Sequence, residues 1–134
     1  MPATASSPLE LVQDAYQSFS RGDMAGMLAA MSTAFEWDSR YSAGVPFGGV
    51  WRGHGGVSEF LKTLSDAVDV TAFEIREFIA QGDSVVVLGF DESLVKSTGR
   101  TYHNEWVHVW AVQDGQLASV RTYNDTAAAA AAFA

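Results

Sequence analysis

The second half of the chain is a ladder of strand-like segments separated by short turn signals. Gly82-Asp83, Thr98-Gly99 and Asp114-Gly115 each interrupt runs that are rich in Val, Phe, Tyr and Trp. Such dipeptides accept the positive φ angles of tight hairpins, so they predict four consecutive antiparallel strands from about residue 71 to residue 125. A two-residue loop also sets which residues lie opposite each other, and therefore which side chains share a face.

With this register, one face of the predicted sheet is almost wholly aliphatic or phenylalanine and ends in polar residues. We interpret it as the core face and the wall of a ligand cavity. Its apolar members are Phe73, Ile75, Ile79, Val86, Leu88, Phe90, Val107, Val109, Ala111, Ala118 and Val120. Its polar end is formed by Glu92, His103, Glu105, Thr122 and Asn124.

Two carboxylates are predicted to face each other at that polar end, Glu92 and Glu105. Burial of such a pair would leave one of them protonated and able to donate a hydrogen bond. The alternative is that both side chains point into water at the ends of their strands.

The opposite face of the predicted sheet mixes aromatic with charged side chains. Interfaces between subunits often have this character. The sequence therefore predicts a homodimer that pairs through an outer sheet face carrying Trp106, Trp110 and Tyr123.

Caps and periodicity make the first half helical. Ser7-Pro8-Leu9-Glu10 is a capping box with proline in the first turn, and it predicts a helix from about Pro8 to Ser20. Asp23 caps a short second helix. A glycine-rich loop over residues 39–56 precedes a third helix, whose apolar stripe includes Phe60.

This order of elements predicts a single α+β domain over residues 1–134. Helices that come before a run of antiparallel strands pack together on one face of the sheet. Residues 1–7 and 127–134 are interpreted as flexible tails.

Composition excludes several classes of function. The net charge of −8 and the scattered basic residues argue against nucleic acid and against anionic membranes. There is no cysteine, and the three histidines lack metal-ligand spacing, so we expect neither a metal nor a cofactor. We also expect a cytoplasmic protein, since residues 1–7 do not read as a signal peptide and no run is long enough to span a bilayer.

The whole layout resembles the NTF2-like cone fold, and within it the SnoaL-like polyketide cyclases and ketosteroid isomerases. The resemblance rests on the capped first helix, the Gly22-Asp23 turn, the strand ending in Asp38, the glycine-rich loop and the last hairpin, residues 114–126. It implies three N-terminal helices packed on a curved, mostly antiparallel sheet around a cavity for a small apolar molecule. Enzymes and non-enzymes share this fold.

The resemblance also implies candidate catalytic residues. Ketosteroid isomerases use an aspartate base, with a tyrosine and a protonated aspartic acid that hold the enolate oxygen. The base position falls on Asp38 and the tyrosine position at or beside Tyr16. The protonated acid falls on Val107, which has no proton to donate, so Glu105 is the candidate replacement and His103 a candidate acid or base. Tyr16 has an alternative reading as a core tyrosine.

Other residues are expected to line the cavity or hold the ligand. They are Trp37, Trp51, Phe60, Phe90, Val107, Thr122 and Asn124. Trp51 has the alternative of packing only on the third helix.

Two functions are consistent with the sequence. The first is an isomerase or cyclase that uses Asp38 to move a proton on an apolar, carbonyl-containing ligand. The second is a non-catalytic module of the same fold that binds a small ligand or a protein partner. The catalytic hypothesis requires Asp38 to face the cavity rather than bulk solvent.

Overall fold

A computed structural model describes residues 6–134 of the chain. Residues 1–5, most of the predicted N-terminal tail, lie outside the described residues. The elements follow in the order α1 (Pro8–Ser20), α2 (Met24–Ala30), β1 (Met31–Ser39), β2 (Gly49–Arg52), α3 (Gly53–Ala67), β3 (Val68–Gln81), β4 (Ser84–Val95), β5 (Thr101–Gln113), β6 (Gln116–Tyr123) and α4 (Thr126–Phe133).

The strands form one sheet in the order β2-β1-β6-β5-β4-β3. All neighbours are antiparallel except β1 and β6, which run parallel. Helices α1, α2 and α3 bury Val12, Ala15, Met27, Val57 and Phe60 against one face of this sheet. The predicted α+β architecture, with helices on one face, is confirmed.

Local sequence explains the beginnings of the first two helices. The Ser7 hydroxyl accepts a hydrogen bond from the Glu10 backbone N–H, and the Glu10 carboxylate accepts one from the Ser7 N–H, both at 3.1 Å. The Asp23 side chain accepts from the Gly26 N–H at 2.9 Å and begins α2. These caps hold the backbone donors that a helix N-terminus leaves unpaired, and the predicted bounds of α1 are confirmed.

Two segments differ from the sequence-based expectation. The predicted loop over residues 39–56 contains β2, which pairs with β1 through Trp37 and Trp51, and it also contains the first turn of α3. Residues 127–134, expected to be a flexible tail, contribute all but the first residue of α4. Ala129 and Ala132 of that helix are buried.

Two of the three predicted hairpin turns have the expected length. Gly82-Asp83 and Asp114-Gly115 are two-residue loops, and Asp114 has a φ of 52°. The third prediction was wrong, since Val95 N–H donates to the Arg100 carbonyl at 2.8 Å and a four-residue loop, 96–99, lies between them. Glu92 therefore faces His103 rather than Glu105. A shift of two residues leaves the faces unchanged.

A bulge changes the faces of the last strand. Ala118 is an extra residue in β6, so the pairing beyond it shifts by one. Val120 consequently lies opposite Trp110, and Thr122 opposite His108, rather than opposite the odd-numbered residues of β5. A one-residue shift reverses the direction of every later side chain.

A second bulge lies in β3. Arg76 is the extra residue, and Phe73 consequently lies opposite Asp91 instead of Glu92. Phe73 is thereby brought to the face that carries Asp91.

The predicted core face is therefore wrong. Trp106 and Trp110, expected on an outer interface, are each 2% exposed and point toward the helices. The aliphatic residues expected in the core lie on the outer face, where Ile79 is 47% exposed. The other outer residues, half-buried, are Val86, Leu88, Phe90, Val107, Val109 and Ala111. The physical reason is that large aromatic side chains bury more area than aliphatic ones, and the helices fit over them.

Gly89 explains how the largest of these rings fits. A Cβ at this position would lie 2.3 Å from the Glu74 carbonyl oxygen and 2.5 Å from the Trp106 ring. The missing side chain lets the indole lie across β4.

Candidate active site

A cavity lies between the inner face of the sheet and helices α1, α2 and α3. Most of its wall is aromatic or aliphatic. The lining residues are Ala15, Tyr16, Phe19, Met27, Trp37, Ser39, Tyr41, Phe47, Phe60, Leu61, Leu64, Val70, Phe73, Asp91, Ser93, Tyr102, His108, Trp110, Thr122 and Asn124. Among the described residues that line it, Asp91 has the only carboxylate.

Five of the residues predicted to form the site lie in this wall. They are Tyr16, Trp37, Phe60, Thr122 and Asn124. The other six, Asp38, Trp51, Phe90, His103, Glu105 and Val107, do not line it.

The predicted placement of Asp38 in the cavity is corrected. In β1, Phe35, Trp37 and Ser39 point inward, so alternation turns Asp38 to the outer face. There its carboxylate accepts a hydrogen bond from Arg40 Nε at 3.0 Å. Asp38 therefore does not face the cavity, as the catalytic hypothesis required.

His103 and Glu105 also lie on the outer face, which corrects their predicted placement. His103 bridges Glu105 and Glu92, and Arg76 contacts Glu105 from the other side. The hydrogen bond from His103 lowers the pKa of Glu105, with Arg76 adding to the effect, while the two glutamates raise the pKa of His103. Glu105 is therefore ionised. To replace the protonated acid of the isomerases, it would have to keep its proton.

The remaining three residues have packing roles. The Phe90 ring lies between the Arg76 guanidinium, at 4.6 Å, and the His103 ring, at 4.9 Å, on the outer face. Val107 lies on the same face, opposite Leu88. Their predicted place in the cavity wall is thus corrected. Trp51 packs on Phe60 of α3, as its alternative reading had it.

One end of the cavity, here called the aromatic end, contains Tyr16, Trp37, Phe60, His108 and Trp110. Trp110 Nε1 donates to the Tyr16 hydroxyl at 2.9 Å, and that hydroxyl lies 2.6 Å from His108 Nδ1. An indole nitrogen can only donate, so the tyrosine uses its own proton toward the imidazole. His108 is then a neutral ring with its proton on Nε2.

Burial keeps both Tyr16 and His108 neutral. It lowers the pKa of His108 to about 3 and raises the pKa of Tyr16 above its usual value. Both shifts follow from the cost of placing a charge among aromatic rings. The His108 ring stacks on Trp106 with 3.9 Å between centroids, so Trp106, which does not line the cavity, supports the imidazole.

The other end of the cavity, the polar end, contains Tyr41, Asp91, Ser93, Tyr102, Asn104 and Asn124. Asn104 Nδ2 donates to one oxygen of Asp91 at 3.1 Å, and the Ser93 hydroxyl donates to the other at 3.2 Å. Burial nevertheless raises the pKa of Asp91, because desolvation outweighs these two hydrogen bonds. A carboxylate poised in this way has the property of a general base.

Two phenol groups accompany that carboxylate. The Tyr41 hydroxyl lies 3.3 Å from the same Asn104 nitrogen that contacts Asp91, so the two groups are side by side. Burial raises the pKa of Tyr41 and raises that of Tyr102 to about 12. Both phenols are therefore neutral donors.

Asn104 holds the polar end together. It is fully buried, and its amide nitrogen also approaches Asn124 Oδ1 at 3.0 Å. Its oxygen accepts from the Asp125 backbone N–H at 2.8 Å. This network orients Asp91 from behind.

Sequence reasoning missed Asp91 and most of the polar end, although a signal was present. Alternate residues of β5 are Tyr102, Asn104, Trp106, His108 and Trp110. Large rings alternating with hydrogen-bonding groups are typical of a ligand cavity, where apolar walls carry a few polar groups. The same pattern was interpreted as an interface.

The described residues offer no site for an ion. Within residues 6–134, no three His, Asp or Glu side chains converge as a metal centre requires. None of the described helices is both long and apolar enough to cross a membrane.

Comparison with known proteins identifies the family. The model of the SnoaL-like domain matches residues 12–120, so the chain belongs to the SnoaL-like family of the NTF2-like superfamily. The predicted resemblance is confirmed. No curated protein matches the chain.

Solved structures agree with this assignment. An NTF2-like protein from Burkholderia xenovorans is 34% identical with a TM-score of 0.88, and the match covers 98% of this chain and 100% of that one. TerC, co-crystallised with polyporic acid, is 32% identical with a TM-score of 0.82, over 95% of this chain and 98% of that one. A candidate SnoaL-like polyketide cyclase from Mesorhizobium loti shares the fold at 16% identity and a TM-score of 0.74, covering 88% and 99%.

Proposed function

We propose that this protein binds a flat, apolar carbonyl compound and moves a proton on it, with Asp91 as the general base. The observation that carries the proposal is the carboxylate of Asp91, the only one among the described residues of the cavity wall, whose pKa burial raises among aromatic side chains. The role first assigned to Asp38 thus passes to a residue that satisfies the same physical requirement.

The cavity wall supports binding of a planar molecule. The His108 ring lines the wall, and Trp37 and Phe60, also in the wall, pack on each other with 4.7 Å between ring centroids. Aromatic rings stabilise a flat ligand by offset or edge-on packing as well as by burial of apolar area. The 32% identity to TerC, which was crystallised with polyporic acid, supports a ligand of related character.

The polar end supports proton transfer. Ionised Asp91 would take a proton from the carbon beside the ligand carbonyl, so that a C–H bond breaks and an O–H bond forms. The electron pair moves onto the carbonyl oxygen, where a neutral phenol of Tyr41 or Tyr102 would donate a hydrogen bond to the enolate. If the Asp91 proton exchanges with water before a proton returns to the same carbon, the result is hydrogen exchange, and return of the proton to another carbon is an isomerisation.

The test uses 2-tetralone, a bicyclic ketone with acidic protons at carbon 1. In D₂O, the wild-type protein should accelerate loss of the C1 proton signal in the NMR spectrum in proportion to its concentration. The rate should rise with pH and level off above the pKa of Asp91, because the ionised carboxylate is the base. Quenching of tryptophan fluorescence, with Trp37 and Trp110 in the wall, reports binding in the same samples.

The two measurements separate the hypotheses. Binding of 2-tetralone without acceleration of its exchange over buffer would favour the non-catalytic module. If the protein neither bound 2-tetralone nor accelerated its exchange, the proposed function would be excluded.

We also propose a homodimer through the outer sheet face, with different residues from those first expected. Trp106 and Trp110 point inward, and Tyr123 alone of the predicted three lies outside, at 39% exposure. The apolar outer strip around Leu88 and Val107 supports pairing of two copies, because a second copy would remove it from water.

Light scattering after size exclusion tests this assembly. Wild-type protein should have the mass of two chains, and Val107→Glu should have the mass of one, because pairing would bury a carboxylate of each copy in the apolar strip. A single-chain mass for the wild type at tens of micromolar would contradict the proposal.

A further inference from the structure

Two donors in the cavity wall have no partner within residues 6–134. They are the indole nitrogen of Trp37 and the hydroxyl of Ser39. The two residues are 9% and 2% exposed. Leaving a buried polar group unpaired is unfavourable, and native structures contain few such groups. Two in adjacent positions of one wall therefore call for an explanation.

Both donors belong to β1 and share its inner face. Trp37 and Ser39 are two residues apart, so their side chains point the same way, and both line the cavity. Trp106 Nε1 is also buried without a partner, but that residue does not line the cavity. Among the unpaired donors of the described residues, the β1 pair is therefore the one that borders the space a ligand would occupy.

Neighbouring polar groups are already engaged. Thr122 lies beside Ser39 in the sheet, and its hydroxyl is 3.1 Å from the Asn124 amide nitrogen. That nitrogen also donates to the Arg40 carbonyl at 3.1 Å. The polar groups around Ser39 therefore bond to one another and to the backbone, and the two β1 donors remain unpaired among the described residues.

The β1 pair is separated from Asp91 by other side chains. Ser39 lies beside Thr122 in the sheet, and Thr122 contacts Asn124 at 3.1 Å. Asn104 then contacts both Asn124, at 3.0 Å, and Asp91, at 3.1 Å. One ligand oxygen cannot serve both places.

We propose that Trp37 and Ser39 form a site for a second ligand oxygen, apart from the carbon that loses its proton at Asp91. An indole N–H can only donate, so the ligand group must accept. A ketone, quinone or phenolic oxygen fits this requirement, and an ammonium group does not. The inference rests on the proposed function and extends it, since it makes the substrate a carbonyl compound with a second oxygen at another position.

The experiment compares two ketones that differ in one oxygen, 6-hydroxy-2-tetralone and 2-tetralone. Wild-type protein should bind the hydroxylated compound about three- to tenfold more tightly, as a hydrogen bond contributes. Ser39→Ala should remove that advantage, so that its Kd values for the two ketones become equal. Ser18→Ala, which truncates a buried serine of α1 outside the cavity, should retain the advantage.

A second measurement separates binding from structure. Ser39→Ala deletes a group that has no protein partner, so its Tm should equal or exceed that of the wild type. Trp37→Phe, which keeps a ring and deletes the N–H, should lose the same discrimination and serves if the serine variant does not fold.

The remaining outcomes would overturn either the oxygen site alone or the oxygen site together with the proposed function. Equal wild-type affinity for the two ketones, or full discrimination in both β1 variants, would overturn the oxygen site while leaving proton exchange intact. A lower Tm of Ser39→Ala would show a structural partner and also overturn it. Binding of neither ketone to the wild type would overturn the proposed function and the oxygen site with it.

Discussion

Replacement of Asp91 by asparagine is expected to lower the rate of 2-tetralone exchange by about 10²- to 10⁴-fold, the usual contribution of a general base. Asparagine keeps the shape and can still accept from Asn104, whose amide nitrogen lies 3.1 Å from the carboxylate. The Kd from fluorescence should therefore change little. The exchange rate measured by NMR at saturating ketone is the readout.

Asp38→Asn is the matched control. It makes the same chemical change at a carboxylate that lies on the outer face beside Arg40. Its exchange rate should equal that of the wild type. If the two variants lost activity equally, or if Asp38→Asn alone did, Asp91 would not be the base.

Asp91→Asn is also expected to change the pH dependence of the free energy of unfolding. The folded protein raises the pKa of Asp91, so ionisation is less favourable in the folded than in the unfolded chain. This penalty is fully present above the folded pKa and vanishes below the unfolded pKa of about 4. Asp91→Asn should thus raise the free energy of unfolding at pH 7 and make no such difference at pH 3.

Acidification is expected to destabilise the protein through His108, the second large effect. Burial lowers its pKa from 6.5 to about 3, so the unfolded chain takes up a proton that the folded chain does not. Stability from the neutral ring is present above pH 6.5 and is lost as the pH falls toward 3. At roughly 1.4 kcal/mol per pKa unit, the loss amounts to at most about 4 to 5 kcal/mol.

Urea unfolding at several pH values, followed by fluorescence, measures this loss. His108→Asn retains an acceptor near Tyr16 and should remove most of the loss between pH 6.5 and 3, whatever its stability at pH 7. His103→Asn is the opposite control, because Glu105 and Glu92 raise the pKa of His103. The protonated His103 side chain of the wild type stabilises the folded protein below pH 6.5, and this contribution is lost as the pH rises through its raised pKa. An unchanged acid profile in His108→Asn would show that the ring is not buried neutral.

Local sequence was sufficient wherever neighbouring residues alone set the structure. The α1 capping box, the Asp23 cap and the two hairpin turns at residues 82–83 and 114–115 all depend on contacts within a few residues. Their positions could be predicted for that reason, and the order of elements then indicated the family.

The candidate site needed information that no local pattern carries. A single extra residue at Ala118 and another at Arg76 changed which side chains meet across the sheet. The sequence could not reveal these bulges, because their cost is offset only by packing between distant strands. Apolar content was also a poor guide to the inner face, since both faces are apolar.

By itself, therefore, the sequence determined the first three helices, two of the three hairpin turns, the α+β architecture and the SnoaL-like resemblance. Only the tertiary structure decided that the aromatic face looks inward, that Asp38 lies outside and that Asp91 lies in the cavity. The reason is that helix caps and turns are formed by adjacent residues. The direction of a strand side chain depends instead on its register with other strands and on which face the helices cover.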